Sequence, residues 1–228
     1  MNIEQRTSHV EQPDQKGGVE HRTLNSHGQR EGALFVVSAP SGAGKTSLCR
    51  ELIDNVPDLS QSISFATRDI RPGEENAVDY HFIDESLFRD MISDHKLAEW
   101  AEVHGNLYGT SIATLKQAAH DGVDLLLDID CQGAAQLRKN YHQGVFIFIL
   151  PPDMVELEQR LRDRGTNNED DIQRRLKNAH GEIKQAAWYD YLVVNDNFES
   201  ARDKLISIVK AERCKAQRNH FLLNKFHS

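Results

Sequence analysis

Little in this chain would cross-link it or hold it in a membrane. Its 228 residues include three cysteines, Cys49, Cys131 and Cys214. They lie far apart, are odd in number and form no CxxC pair, so a disulfide framework or zinc knuckle is not supported and a reducing cytoplasm is the expected setting. The longest unbroken apolar run, Val145 to Leu150, falls far short of the ~20 residues that span a bilayer. The N-terminal residues carry no hydrophobic signal segment, so a soluble protein without a membrane partner is expected. Surplus positive charge is missing too. The formal net charge of −8 argues against a general nucleic-acid binder, which would need a broad basic surface, so any anionic ligand must meet a local cluster of cations. The 11 histidines include His9, His21 and His27 near the N-terminus and no H-x-x-x-H pair beside a carboxylate, which argues against a histidine-built metal site.

What is present is enough apolar residue, 39%, to bury a core. Residues 1–31 hold only scattered apolar side chains and read as a flexible extension. Beyond them, β-rich runs at Ala33–Ser38, Val123–Ile129, Val145–Leu150 and Tyr191–Val194 each precede a helix-like segment. That alternation predicts an α/β fold, a parallel sheet flanked by helices, with its core in 32–62, 114–153 and 186–228. Two stretches interrupt it. Residues 63–113 read as an inserted mixed α+β lobe with a helix starting at Asp84, and 154–185 as a charged helical segment whose Asp153 and Glu156 suit a capping box.

Between the first strand and its helix stands "SAPSGAGKTS". Small residues there expose backbone N–H groups at the positive end of a helix dipole, which suits an oxyanion. Against the phosphate-binding pattern G-x-x-x-x-G-K-[ST], the run Ala39, Pro40, Ser41, Gly42, Ala43, Gly44, Lys45, Thr46 departs only at Ala39. In this P-loop reading Lys45 reaches the β- and γ-phosphates of a nucleoside triphosphate and the Thr46 hydroxyl ligates Mg²⁺. The strand "LLLDID" ends in Asp128 and Asp130 on one face. Asp128 is placed to hold Mg²⁺ through water and Asp130 lies nearer an acceptor; the plainer alternative is a strand-end pair that caps the next helix.

Together with "SFATRDIRPGEENAVDYHF", "EWAEVHGNLYGTS" and "LLLDIDCQGA", this motif resembles the guanylate kinase family from about Gly32 to Arg218. The resemblance implies transfer of the γ-phosphoryl of Mg·ATP to GMP, and to dGMP, giving ADP and GDP. It implies that Ala39, Pro40, Ser41, Gly42, Ala43, Gly44, Lys45, Thr46 and Ser47 bind ATP, with Asn195 and Asp196 beside the adenine. Arg68, Arg71, Tyr80 and Tyr108 would hold the GMP phosphate; Arg68 and Arg71, i and i+3 about the Pro72-Gly73 turn, make a compact cationic fork. Guanine presents two donors on one edge, which a carboxylate accepts and adenine cannot match. The resemblance gives that carboxylate to Glu99, with Ser64, Thr110 and Asp130 completing the base contacts. Arg164 and Arg175 would be lid arginines, acting with Lys45 and Arg68 in catalysis, whereas Arg160, Arg162 and Arg174 read as solvated helix charges. Taken singly, Glu99 could be an exposed strand residue, Tyr80 could belong to the core of the lobe, and Arg68 and Arg71 could be surface charges paired with Asp69 and Glu74. Ala66 replaces the first of two threonines usual before the first arginine. Cys131, next to Asp130, is a candidate for alkylation that GMP would block. The alternatives are a guanylate-kinase-like protein-interaction module and a P-loop kinase for another small phosphorylated acceptor. The sequence is compatible with a homo-oligomer and does not specify one.

Overall fold

The computed structural model describes residues 30–103, 105–141, 144–163 and 168–226; 1–29, most of the expected extension, lies outside them, as does Arg164. The chain begins β1 (Leu34–Ser38), α1 (Lys45–Asn55), β2 (Leu59–Gln61). It continues through β3 (Phe65–Ala66), β4 (His81–Phe82), α2 (Glu85–Ser93), β5 (Leu97–Val103) and β6 (Asn106–Ser111). Then follow α3 (Ile112–Asp121), β7 (Asp124–Asp128), α4 (Cys131–Asn140), β8 (Gly144–Leu150), α5 (Met154–Asp163) and α6 (Glu169–Gln185). β9 (Tyr191–Val194), α7 (Phe198–Arg213) and the short α8 (Ala216–Asn219) complete it.

Five strands form a sheet in the order β2-β7-β1-β8-β9, all parallel. Every residue of β1 is buried, as a central strand covered on both faces requires. Side chains alternate across it: Phe35 and Val37 join Ile147, Ile149 and Leu126 under α1 and α7, whereas Leu34 and Val36 join Phe146, Phe148 and Leu127 under α3 and α4. β2 is a fifth strand that the sequence reading lacked, because "LSQ" offers one buried residue and no run to detect. Asp124, fully buried at the start of β7, accepts from Arg30 (2.6 Å), from Arg213 Nε (2.7 Å) and from the Ala33 N–H (2.6 Å). A buried carboxylate needs such partners, and these tie the sheet to α7 and to the first described residue.

The second sheet runs β4-β3-β6-β5, parallel at β3–β4 and antiparallel elsewhere. α2 follows Asp84 as its N-cap. The charged stretch at 154–185 divides into α5 and α6; the Asp153 carboxylate caps Glu156 N–H (2.8 Å), but the Glu156 side chain turns to Arg160, so half of the expected box forms. Among the described residues no helix is long and apolar enough to cross a membrane.

Candidate active site

The loop after β1 adopts positive φ at Gly42 (101°) and Gly44 (91°) but not at Ala39, so alanine fits the pattern's first position without strain. The loop is braced from outside. A Cβ on Gly44 would stand 2.5 Å from Asn195 Nδ2, and one on Gly42 would stand 2.9 Å from Leu157 of α5. Asn195 is buried and donates to the Ala43 carbonyl (2.8 Å). Its amide therefore shapes the loop rather than facing outward toward a base, while Asp196 is exposed. Arg160, read from sequence as a solvated charge, donates to the Asn195 carbonyl (3.1 Å). The neighbouring arginines do behave as helix-surface charges: Arg162 pairs with Glu158 and Glu169, and Arg174 with Asp171.

Lys45 Nζ lies 2.5 Å from Asp128 and donates to the Ile129 carbonyl (2.8 Å), at the C-terminal end of β7. Thr46 and Ser47 are exposed in the first turn of α1. Arg175 Nη1 donates to Ser41 Oγ (2.7 Å), so α6 already touches the loop.

Beside this end of the sheet is a cavity of about 290 Å³. Of the residues expected to bind GMP, Ser64, Arg68, Arg71, Tyr80, Glu99, Tyr108 and Asp130 line it, and so does Asp128. Thr110 stands behind the wall, with no exposed surface. At one end a register shift between Leu97 and Glu99 bends β5, a device common beside functional sites. Glu99 is 4% exposed, so the exposed-strand alternative fails; Trp100 is the outward residue. Thr110 donates to Glu99 (2.6 Å), which leaves the Ser64 hydroxyl to donate to Thr110 (3.2 Å). Burial, with Asp130 adding repulsion, pushes the Glu99 carboxyl up to about 7 against the opposing Thr110 bond.

Helix α4 completes this end. Asp130 caps it by accepting from Gly133 N–H (2.8 Å), so the capping alternative holds for Asp130 while it still lines the cavity. A Cβ on Gly133 would lie 2.5 Å from Glu99 Oε2, and the Gln136 amide pairs with both Trp100 backbone groups (3.2 and 2.7 Å). Neither Gly133 nor Gln136 stood out in the sequence, although Gly133 sits inside "CQGA". Cys131 is 3% exposed and burial pushes its thiol up to about 11, which removes the basis for easy alkylation. At the other end Arg68 pairs with Glu74 (2.6 Å) and lies over the Tyr80 and Phe82 rings (5.1 and 5.2 Å). Ala66 is fully buried and pairs with Tyr108 of β6, and the Thr67 hydroxyl adds a tie to that strand by accepting from Leu107 N–H (2.9 Å).

A parallel α/β core, a glycine-turned loop opening a Lys-Thr helix and a second, cation-and-carboxylate cavity beside it define a P-loop protein with room for an acceptor. A family model described as guanylate kinase matches residues 31–212. Guanylate kinases from Syntrophotalea carbinolica and Geobacter metallireducens are 56% and 53% identical over 190 residues, covering 83% of this chain and 90% and 94% of theirs. The crystal structure of guanylate kinase from Anaplasma phagocytophilum superimposes with a TM-score of 0.68 at 33% identity, covering 90% of this chain and 98% of that one. The chain belongs to the guanylate kinase family.

Proposed function

We propose that this chain transfers the γ-phosphoryl of ATP to the phosphate of GMP, and of dGMP, releasing ADP and GDP. The observation that carries the reading is one cavity with a buried carboxylate at one end and paired arginines at the other, opening beside Lys45 and Asp128. Glu99, with Thr110 and Ser64 behind it, accepts the two guanine donors; adenine would set lone pair against lone pair. Arg68, Arg71, Tyr80 and Tyr108 hold the acceptor phosphate, and Asp130 completes the base end.

On the donor side, Ala39 to Ser47 wrap the triphosphate with backbone N–H groups. Lys45 leaves the β7 end to follow the β- and γ-phosphates. Arg175, with Arg164, brings charge to the transferring group as 154–185 closes over 32–62 and 63–113, excluding water. Positioning and neutralisation suffice, and no covalent enzyme intermediate is needed. Mg²⁺ suits the residues present: the exposed Thr46 hydroxyl and the Asp128 carboxylate are hard oxygen donors, and such an ion takes water and phosphate oxygens at its other positions. Thr46 would hold it directly and Asp128 through water; when bound, the ion neutralises phosphate charge.

The test is ADP production with GMP, dGMP, AMP, UMP and a sugar phosphate as acceptors. Turnover confined to GMP and dGMP is expected; turnover with AMP or a sugar phosphate, or none with GMP, would overturn the reading.

A further inference from the structure

Glu74 does more than balance a surface charge. Its Oε2 accepts from Arg68 Nη1 (2.6 Å) and from the Arg71 backbone N–H (3.0 Å), and its Oε1 accepts from Arg68 Nη2 (2.7 Å). Its own N–H donates to the Arg71 carbonyl (3.0 Å), closing the turn in which Gly73 takes φ 89°. One carboxylate thus fixes the guanidinium of one arginine and the backbone of the other. The remaining Nη1 hydrogen goes to the Asp69 carbonyl (3.0 Å), and the Tyr80 and Phe82 ring centroids lie 5.1 and 5.2 Å from Arg68 Cζ.

A guanidinium has five N–H donors in a fixed fork. Glu74 takes the edge formed by Nη1 and Nη2, so no carboxylate competes for the edge formed by Nε and the second Nη2 hydrogen; the Tyr108 hydroxyl, itself a residue expected to hold the phosphate, also bonds to this guanidinium. That second edge is itself bidentate, the geometry that suits a phosphate. Glu74 and a phosphate therefore occupy different edges of Arg68. The Glu74 carboxyl is held down at about 2, chiefly by its bond to Arg68, so the clamp persists across the neutral range.

We infer that Glu74 is a positioning residue for the acceptor: it sets the orientation of Arg68 and the spacing of Arg71 before the nucleotide arrives, so that the guanidinium edge Glu74 does not hold meets the GMP phosphate beside the Tyr108 hydroxyl. This rests on the acceptor reading above. Preorganisation of this kind lowers the ordering cost of binding and acts on the phosphate, because the guanine end is built from β5, β6, the start of α4 and Ser64, none of which Glu74 touches.

The experiment compares binding of GMP and of guanosine, which lacks the phosphate, to the full-length wild type, Glu74→Ala and Glu74→Gln. Glu74→Ala is expected to weaken GMP about tenfold to hundredfold while guanosine affinity and the KM for ATP stay at wild-type values. Glu74→Gln, which keeps one acceptor, should fall between and keeps the test open if the alanine variant does not fold. GMP binding unchanged or tightened in both variants, or equal losses of GMP and guanosine, would overturn the inference. If wild type itself binds guanosine as tightly as GMP, the acceptor reading fails instead.

Discussion

The two halves of the site are built by opposite means. The donor loop works through backbone: its residues are small, its two positive-φ glycines turn N–H groups inward, and Asn195, Leu157 and Arg160 hold it from behind. The acceptor cavity works through side chains drawn from either side of β3, from β5 and β6, from the turn at Pro72-Gly73 and from the start of α4, with Glu99 and Arg68 each held by another side chain. A contiguous loop carries its turn in its own sequence and takes only its bracing from elsewhere. A distributed cavity depends on every element that supplies a wall.

Changes on the two sides should therefore separate ATP from GMP in the kinetics. Lys45→Ala removes the donor-side cation and is expected to lower kcat on the order of a thousandfold with every acceptor, measured as ADP release; a small loss would break the comparison by moving the main charge stabilisation to the arginines. Glu99→Gln leaves one acceptor and puts a donor against the guanine edge. It should reduce kcat/KM for GMP by about a hundredfold, roughly 3 kcal/mol, with KM for ATP unchanged.

Gly133→Ala sharpens the contrast without removing a charge. Its Cβ would displace the Glu99 carboxylate or α4, and about a tenfold rise in KM for GMP is expected from one lost geometry at a buried charged group, again with ATP unaffected. Asn195→Ala is the donor-side counterpart: loss of one buried hydrogen bond to Ala43 should raise KM for ATP about fivefold, in line with ~1 kcal/mol, and leave GMP affinity alone.

The smallest effect is one of pH. Glu99 must be ionised to accept both guanine donors, and burial raises its carboxyl to about 7, so KM for GMP should fall about twofold between pH 7 and pH 8 and then level off. The same shift has the opposite sign for the free protein. Protonated Glu99 favours the folded state, and that contribution fades as pH rises from the ordinary carboxylate value through about 7. Glu99→Gln should flatten both profiles; a slope that survives the substitution would assign the titration elsewhere.

Much was legible in the chain. The run from Ala39 to Thr46, the β-rich segments of four core strands, the Asp84 helix start and the acid pair closing "LLLDID" are local signals, because strand burial, capping and a phosphate-binding turn are set within a few residues. Glu99 illustrates the limit: its chemistry was readable from guanine, but its burial depends on a register shift in β5 and on the close approach of Gly133. Arg160 illustrates another, since its partner is 35 residues away and nothing in a helix-surface pattern announces it. Cys131 shows sequence adjacency misleading outright: it follows Asp130 but faces the core, because side chains one apart at a helix start point in different directions.

The sequence by itself determined a parallel α/β core, where a triphosphate loop falls within it, and which residue types an acceptor site would draw on. Local propensity, apolar periodicity and a contiguous motif carry that information, and none needs a distant partner. Tertiary structure alone decided that Asn195 serves the loop and that Gly133 makes room for Glu99. Such pairings depend on which elements the fold brings within hydrogen-bonding distance, a property of the packed chain rather than of any segment.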